Sequence, residues 1–303
     1  MGELHEIWKT YKRSRAAVAG LIVVVLLILV AIFAPWLAPR HYSETDMTRI
    51  HATPGPGHVF GTDALGRCIL SRVIYGTRVS LSVGIVAQAL MVIIGVPIGL
   101  LAGYRGGWLD ILLMRLVDVL YAFPALLFMI LFMTLVKGIF GAEDPGPILS
   151  FLSAFDRSIG GLLGVFLSLA MISWLTVSRI VRGDVLSVKG LDFVQAAEAL
   201  GMSRARVMIK HILPNVMPSI IVAATYGIPS FIMMEAGLSF LGLGVEPPMP
   251  SWGSMLSQGV GRIRSFPHLM VYPGLALALT MLAFNFLGDG LRSAMDPYAR
   301  RRR

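Results

Sequence analysis

The sequence predicts an all-α integral membrane protein that crosses the bilayer six times. Two observations carry this. Of its 303 residues 56% are apolar and 14% charged, where a soluble domain carries about a quarter charged. The charges also divide the chain into six stretches free of Asp, Glu, Lys and Arg, at residues 16–39, 79–104, 119–136, 158–178, 212–234 and 265–288. A crossing helix needs about 20 mainly apolar residues to span ~30 Å of hydrocarbon, and every stretch but the third reaches that length unaided. The net charge of +9 suits either nucleic acid or an anionic membrane surface, and the apolar fraction selects the membrane. A single cysteine, Cys68, excludes an intrachain disulfide and a cysteine metal cage.

The elements follow in order. Residues 1–15 hold Lys9, Lys12, Arg13 and Arg15 ahead of the first span. That span, taken as an anchor over 16–38, is longer than the ~7–15 residues of a signal-peptide core and is expected to stay uncleaved. Residues 39–78 form an external loop. The second span carries Gly84, Gly95, Pro97, Gly99 and Gly103, and the fifth Gly227, Pro229 and Gly237. Such small residues let helix backbones approach inside a bundle. The third span begins near Ile111 and takes in Arg115 and Asp118, expected to pair across one helical face. Lys and Arg favour the N-terminus, the loop from about 179 to 213 and the tail 292–303, which places both termini and that loop in the cytoplasm. The closing Arg300 to Arg303 serve as a topology signal or a headgroup clamp.

The loop between spans four and five carries the most information. Leu191, Val194, Ala197 and Leu200 recur at helical intervals, Asp192 favours a helix start, and Gly201 supplies the left-handed residue that ends it. Alanines at the centre give a slim surface able to enter another protein's cleft.

At these residues the chain resembles the permease subunits of ABC importers that work with an external binding protein. Their signature is Glu-Ala-Ala, three residues, Gly, nine residues, Ile, any residue, Leu-Pro. Gln195-Ala196-Ala197, Gly201 and Leu213-Pro214 fall at matching spacings, with Gln195 in place of the glutamate and His211 in place of the isoleucine. The resemblance narrows to the dipeptide, oligopeptide and nickel branch. Gly61-Thr62-Asp63-Ala64-Leu65-Gly66-Arg67-Cys68 is similar to that branch's Gly-Thr-Asp-x-x-Gly-Arg-Asp element, with Cys68 in place of the second aspartate. Leu100-Leu101-Ala102-Gly103-Tyr104, Leu238 to Gly244, Pro250-Ser251-Trp252-Gly253 and Ala283 to Asp289 match further blocks in order.

The resemblance implies a type I ABC importer permease core over 79–291, with a coupling loop over 179–215, preceded by the anchor helix. It implies a bacterial inner (plasma) membrane location, a homologous second permease, two cytoplasmic ATP-binding subunits and an external substrate-binding protein. ATP and Mg2+ then belong to the partner subunits, and this chain binds no cofactor. The coupling residues implied are Gln195, Ala196, Ala197, Glu198, Ala199, Leu200, Gly201, Leu213 and Pro214. The cargo implied is a di- or oligopeptide, with nickel or another small peptide-like solute as the alternative. The loop around Pro54, Gly55, Pro56 and Gly57 is expected to fold over the outer face and touch the binding protein.

Other chemistries find little support. No Gly-x-x-x-x-Gly-Lys-Ser/Thr occurs, so ATP hydrolysis belongs elsewhere. The six histidines include no pair four apart of the kind that holds a helical metal site. No Gly-x-Ser-x-Gly nucleophile motif is present. Glu235 is an acidic residue deep in an apolar run, and its cost there makes it a candidate for the substrate path, weighed against a bond to a neighbouring helix. An ion-coupled secondary carrier would require inverted repeats and midplane charges, which are not evident beyond Glu235.

Overall fold

The computed structural model describes residues 2–141 and 146–295. Its helices are α1 (Gly2–Tyr11), α2 (Arg15–Ile32), α3 (Ala34–Leu37), α4 (Ile69–Arg105), α5 (Gly107–Tyr121), α6 (Ala125–Phe140), α7 (Gly146–Ser158), α8 (Leu162–Val188), α9 (Asp192–Ala199), α10 (Arg204–Val207), α11 (Leu213–Phe240), α12 (Trp252–Val260) and α13 (His268–Met295). The expected tail residues Arg300 to Arg303 lie outside the described residues.

Among the described residues, five helices are individually long and apolar enough to cross a membrane, and α5 with α6 supplies a sixth crossing if counted as one broken span. Packing supports that count. A Cβ on Gly95, Gly99 or Gly103 of α4 would meet Trp174 O at 2.9 Å, Ser178 O at 2.6 Å and Val185 Cβ at 2.8 Å on α8. Residue numbers rise together along the two helices, so α4 and α8 are parallel neighbours. The chain between them must therefore recross the layer, and α5–α6 is the segment that does so.

The third span was expected to be one helix; instead it is bent by 88° between α5 and α6. Pro124 is the cause: it has no N–H to donate, and its ring disfavours helical backbone at Phe123. The expected Arg115–Asp118 pair also does not form. Arg179 Nη2 of α8 donates to Asp118 Oδ1 at 2.6 Å while its guanidinium lies 4.2 Å from the Tyr121 ring centre. A partner on the adjacent helix thus displaces the one on the same helix. Arg182 grips Asp110 bidentately, at 2.5 and 2.7 Å. Two ion pairs therefore hold α5 to α8.

The other spans differ at their ends. The second begins ten residues before 79, at Ile69, because the polar Arg72 and Thr77 are buried by the protein and need no water. The fourth extends from 178 to Val188, where Arg179 and Arg182 find partners on α5.

Antiparallel contacts complete the bundle. Gly84 of α4 lies against Ile228 and Ile232 of α11, and Gly20 of α2 against the backbone of Ala283 in α13. Tyr11 Oη donates to Ala17 O at 2.7 Å, and α1 closes on the end of α13 at Gly290. Both helical termini consequently share one end of the bundle with the segment 189–212. That end is called proximal below, and the end formed by residues 39–68 and 241–267 distal.

Candidate functional sites

The proximal end presents α9. Its N-terminus carries Asp192 in the first turn, and Gly201, at φ +77°, ends the turn in the left-handed region where L side chains are strained. The helix is two-faced. Val194 and Ala197 are buried, packing into the main core with Val207 and Ile212. Gln195, Ala196, Glu198 and Ala199 are exposed, and Leu200 is 80% exposed. Ala197 therefore belongs to the seat of the helix and not to its outer ridge, a division that the expectation of a slim alanine surface did not make.

The seat is fastened to α4 by two bonds. Tyr104 Oη donates to Glu198 Oε1 at 2.6 Å, and Lys189 Nζ donates to Gly103 O at 3.0 Å. Gln195 Nε2 donates to Gly190 O at 3.1 Å. From Arg204 the chain passes through one turn of α10 and a wider π-helical turn, Met208–Ile212, directly into α11. Leu213 and Pro214 form the first turn of α11, continuous with that π turn. A push on α9 thus has two continuous routes into the spans, one through Tyr104 into α4 and one through the basic turn into α11. Tyr104 was not singled out from the sequence; a tyrosine closing a glycine-rich span was the available signal.

Between α8, α11 and the break at Pro124 lies a cavity of about 1040 Å³. It reaches from the proximal end, where Pro218 and Ser219 from the start of α11 and Arg292 and Met295 from the end of α13 line it, to Leu169 of α8 and Phe231 and Met234 of α11 in the distal halves of those helices. Its wall is mainly apolar with hydroxyls from Tyr121, Ser173 and Thr176, and among the described residues Arg292 is the charged side chain in its lining. Tyr226, also in the wall, donates to Asp289 beside Arg292.

Glu235, the candidate for the substrate path, is not among the residues that line this cavity. Its side chain is fully buried, and Oε1 accepts hydrogen bonds from Ser239 Oγ at 2.6 Å and Ser251 Oγ at 2.7 Å. Ser251 also caps α12, accepting from Ser254 N at 3.0 Å. Trp252, next in line and also fully buried, donates its indole N–H to Val73 O at 3.2 Å. Glu235 therefore sits at the joint that fixes α12 to α11 and α4. Its burial is completed by α12, 17 residues further along the chain.

At the distal end the Gly-Thr-Asp segment is folded on itself. Asp63 Oδ1 accepts from Leu65 N and Arg67 N, and Oδ2 from Arg67 Nε at 2.7 Å. Phe60 stacks on Tyr272 at 3.8 Å between ring centres, which ties the loop to α13. Cys68 is buried as the N-cap of α4. The stretch 53–57 is exposed.

Comparison with known proteins places these features. Residues 95–301 match the family model described as binding-protein-dependent transport system inner membrane component, and residues 3–54 match the N-terminal TM domain of oligopeptide transport permease C. The oligopeptide transport system permease protein OppC of Haemophilus influenzae is 40% identical over 301 residues, covering 97% of this chain and 90% of that protein. The dipeptide transport system permease protein DppC of Bacillus subtilis is 38% identical over 297 residues, covering 98% and 86%. Among solved structures, an inward-facing conformation of the MetNI methionine ABC transporter aligns with a TM-score of 0.60 at 19% identity, over 75% of this chain and 98% of that one.

Proposed function

The chain belongs to the family of inner membrane components of binding-protein-dependent transport systems, and on that premise we propose that it is one of two permeases forming the path of an ATP-driven importer of di- or oligopeptides. The cargo follows the relatives, which are named for oligopeptide and dipeptide transport. A second permease closes the path against the open side of the 1040 Å³ cavity. Two ATP-binding subunits, with their ATP and Mg2+, sit under the proximal end in the cytoplasm, and an external substrate-binding protein delivers cargo to the distal end.

The observation that carries this reading is the exposed ridge of Gln195, Ala196, Ala199 and Leu200 on a helix whose opposite face is anchored in the core. A part that must transmit force needs one face free for a partner and the other rigidly joined to what it moves. α9 has both. It performs no chemistry: closure of the ATP-binding subunits displaces α9, and Tyr104 and the Arg204–Ile212 turn carry the displacement into α4 and α11. The cavity then exchanges access from one side of the membrane to the other.

Two alanines one position apart test this. In the reconstituted four-subunit complex, Ala196→Trp on the ridge should lower uptake about tenfold or more and uncouple it from ATP hydrolysis, with an unchanged unfolding temperature. Ala197→Trp should instead lower the unfolding temperature, because overfilling the seat costs ~1–3 kcal/mol. Wild-type coupling in Ala196→Trp, or uptake by the chain without ATP, refutes the proposal.

A further inference from the structure

The distal end holds a second cavity, of about 330 Å³, between the Asp63–Arg72 segment, α12 and the start of α13. Its charge is unbalanced. Arg67, Arg72 and Arg262 line it against one carboxylate, Asp63. That carboxylate is already engaged: its two oxygens take the backbone of Leu65 and Arg67 and the Arg67 guanidinium. Arg72 reaches Asp63 only at 3.6 Å through Nε, and its Nη1, in a side chain 2% exposed, has no hydrogen-bond partner among the described residues. Arg262 contacts the His51 ring instead. A buried guanidinium with an idle terminal nitrogen is costly unless an anion meets it.

The remaining wall restricts the anion. Ile69, Met255 and Leu269 supply an apolar surface beside the arginines, which suits an anionic group on a hydrocarbon stem better than a fully hydrated inorganic ion. A guanidinium fork matches a planar carboxylate. We propose that this pocket binds a carboxylate borne on a short apolar stem, with Arg72 as its principal donor. The carboxylate is either the C-terminus of a free peptide or an acidic side chain presented by a protein docked on the distal end. The site is distinct from the larger cavity and from α9, and it needs no ATP-binding subunit.

Binding is measured on the full-length chain in phosphatidylcholine nanodiscs by calorimetry, with N-acetylleucine and its amide as probes. The acid should bind at least about tenfold more tightly than the amide. Arg72→Gln should reduce the acid to the level of the amide. Because that variant disturbs a buried group, Cys68→Asp provides an independent check. Position 68 is the N-cap of α4, one helical turn before Arg72, so an aspartate there favours the helix and supplies a carboxylate within reach of Arg72. This variant should unfold at or above the wild-type temperature yet lose acid binding about tenfold. A purified external binding protein then identifies the source: displacement of the docked protein by N-acetylleucine assigns the carboxylate to that protein, and undisturbed docking assigns it to free ligand. Equal or absent binding of acid and amide, or acid binding that survives in folded Cys68→Asp, overturns the proposal. Neither result bears on transport, since no uptake is measured.

Discussion

Glu235 illustrates how one buried group is decided by its partners. Its Oε1 takes two hydroxyl bonds while Oε2 has none. Glutamine retains the accepting oxygen at that position, so Glu235→Gln is expected to stay within about 1 kcal/mol of wild type in thermal unfolding and to keep uptake. Glu235→Ala strands two buried hydroxyls and opens a void, and should lose ~2–4 kcal/mol. A stable Glu235→Gln that no longer transports would return the residue to the path. From the sequence, an acidic residue in an apolar run was legible, but its role was not, because the serine that satisfies it and caps α12 arrives from a different element. The same holds for Asp118: its partner three residues before it is visible in the sequence, whereas Arg179, 61 residues away, is found only once α5 lies on α8.

At the scale of elements, the glycines of α4 decide how closely the two parallel helices approach. Gly99→Leu is expected to cost ~1–3 kcal/mol, since its first added carbon already meets a carbonyl oxygen of α8 at 2.6 Å. Gly183→Leu, where nothing lies within 4 Å of an added Cβ, is the matched control in the same unfolding measurement. The distal loop makes a prediction about acidity. Burial, with Arg40 and Arg49 nearby, holds the His58 imidazolium below its ordinary range, and burial beside Arg262 does the same for His51. A histidine whose folded pKa is depressed favours folding while neutral, so the loop should be fully stable above about pH 6.5 and weaken as pH falls through that value. Protection factors over residues 49–68, the exchange rates referred to the intrinsic rate at each pH, should be lower at pH 5.5 than at pH 7.5, and His58→Leu should flatten the difference. Equal protection factors in the wild type at both values would contradict the assignment.

For the molecule as a whole, the parallel pairing of α4 and α8 makes the broken α5–α6 segment a crossing, and with it both helical termini and α9 fall at one end. Placing that end in the cytoplasm gives a direct expectation. A membrane-impermeant thiol reagent added to intact cells should label a cysteine at position 57 and not one at position 200, and the reverse should hold for inverted vesicles. The native Cys68, 4% exposed, should stay silent in both. The apolar stretches, the charge bias and the spacing of Gln195, Gly201 and Pro214 were enough, from the sequence alone, to indicate the class, the number of crossings and the position of α9, because hydrophobic length and helix caps are local properties. The tertiary structure alone decided which face of α9 is free, that Glu235 is bonded to the serine capping α12, that Asp118 pairs with Arg179, and that Arg72 is left uncompensated. Each of these depends on which distant side chain arrives to share a buried charge or fill a contact, and a linear pattern carries no information about that arrival.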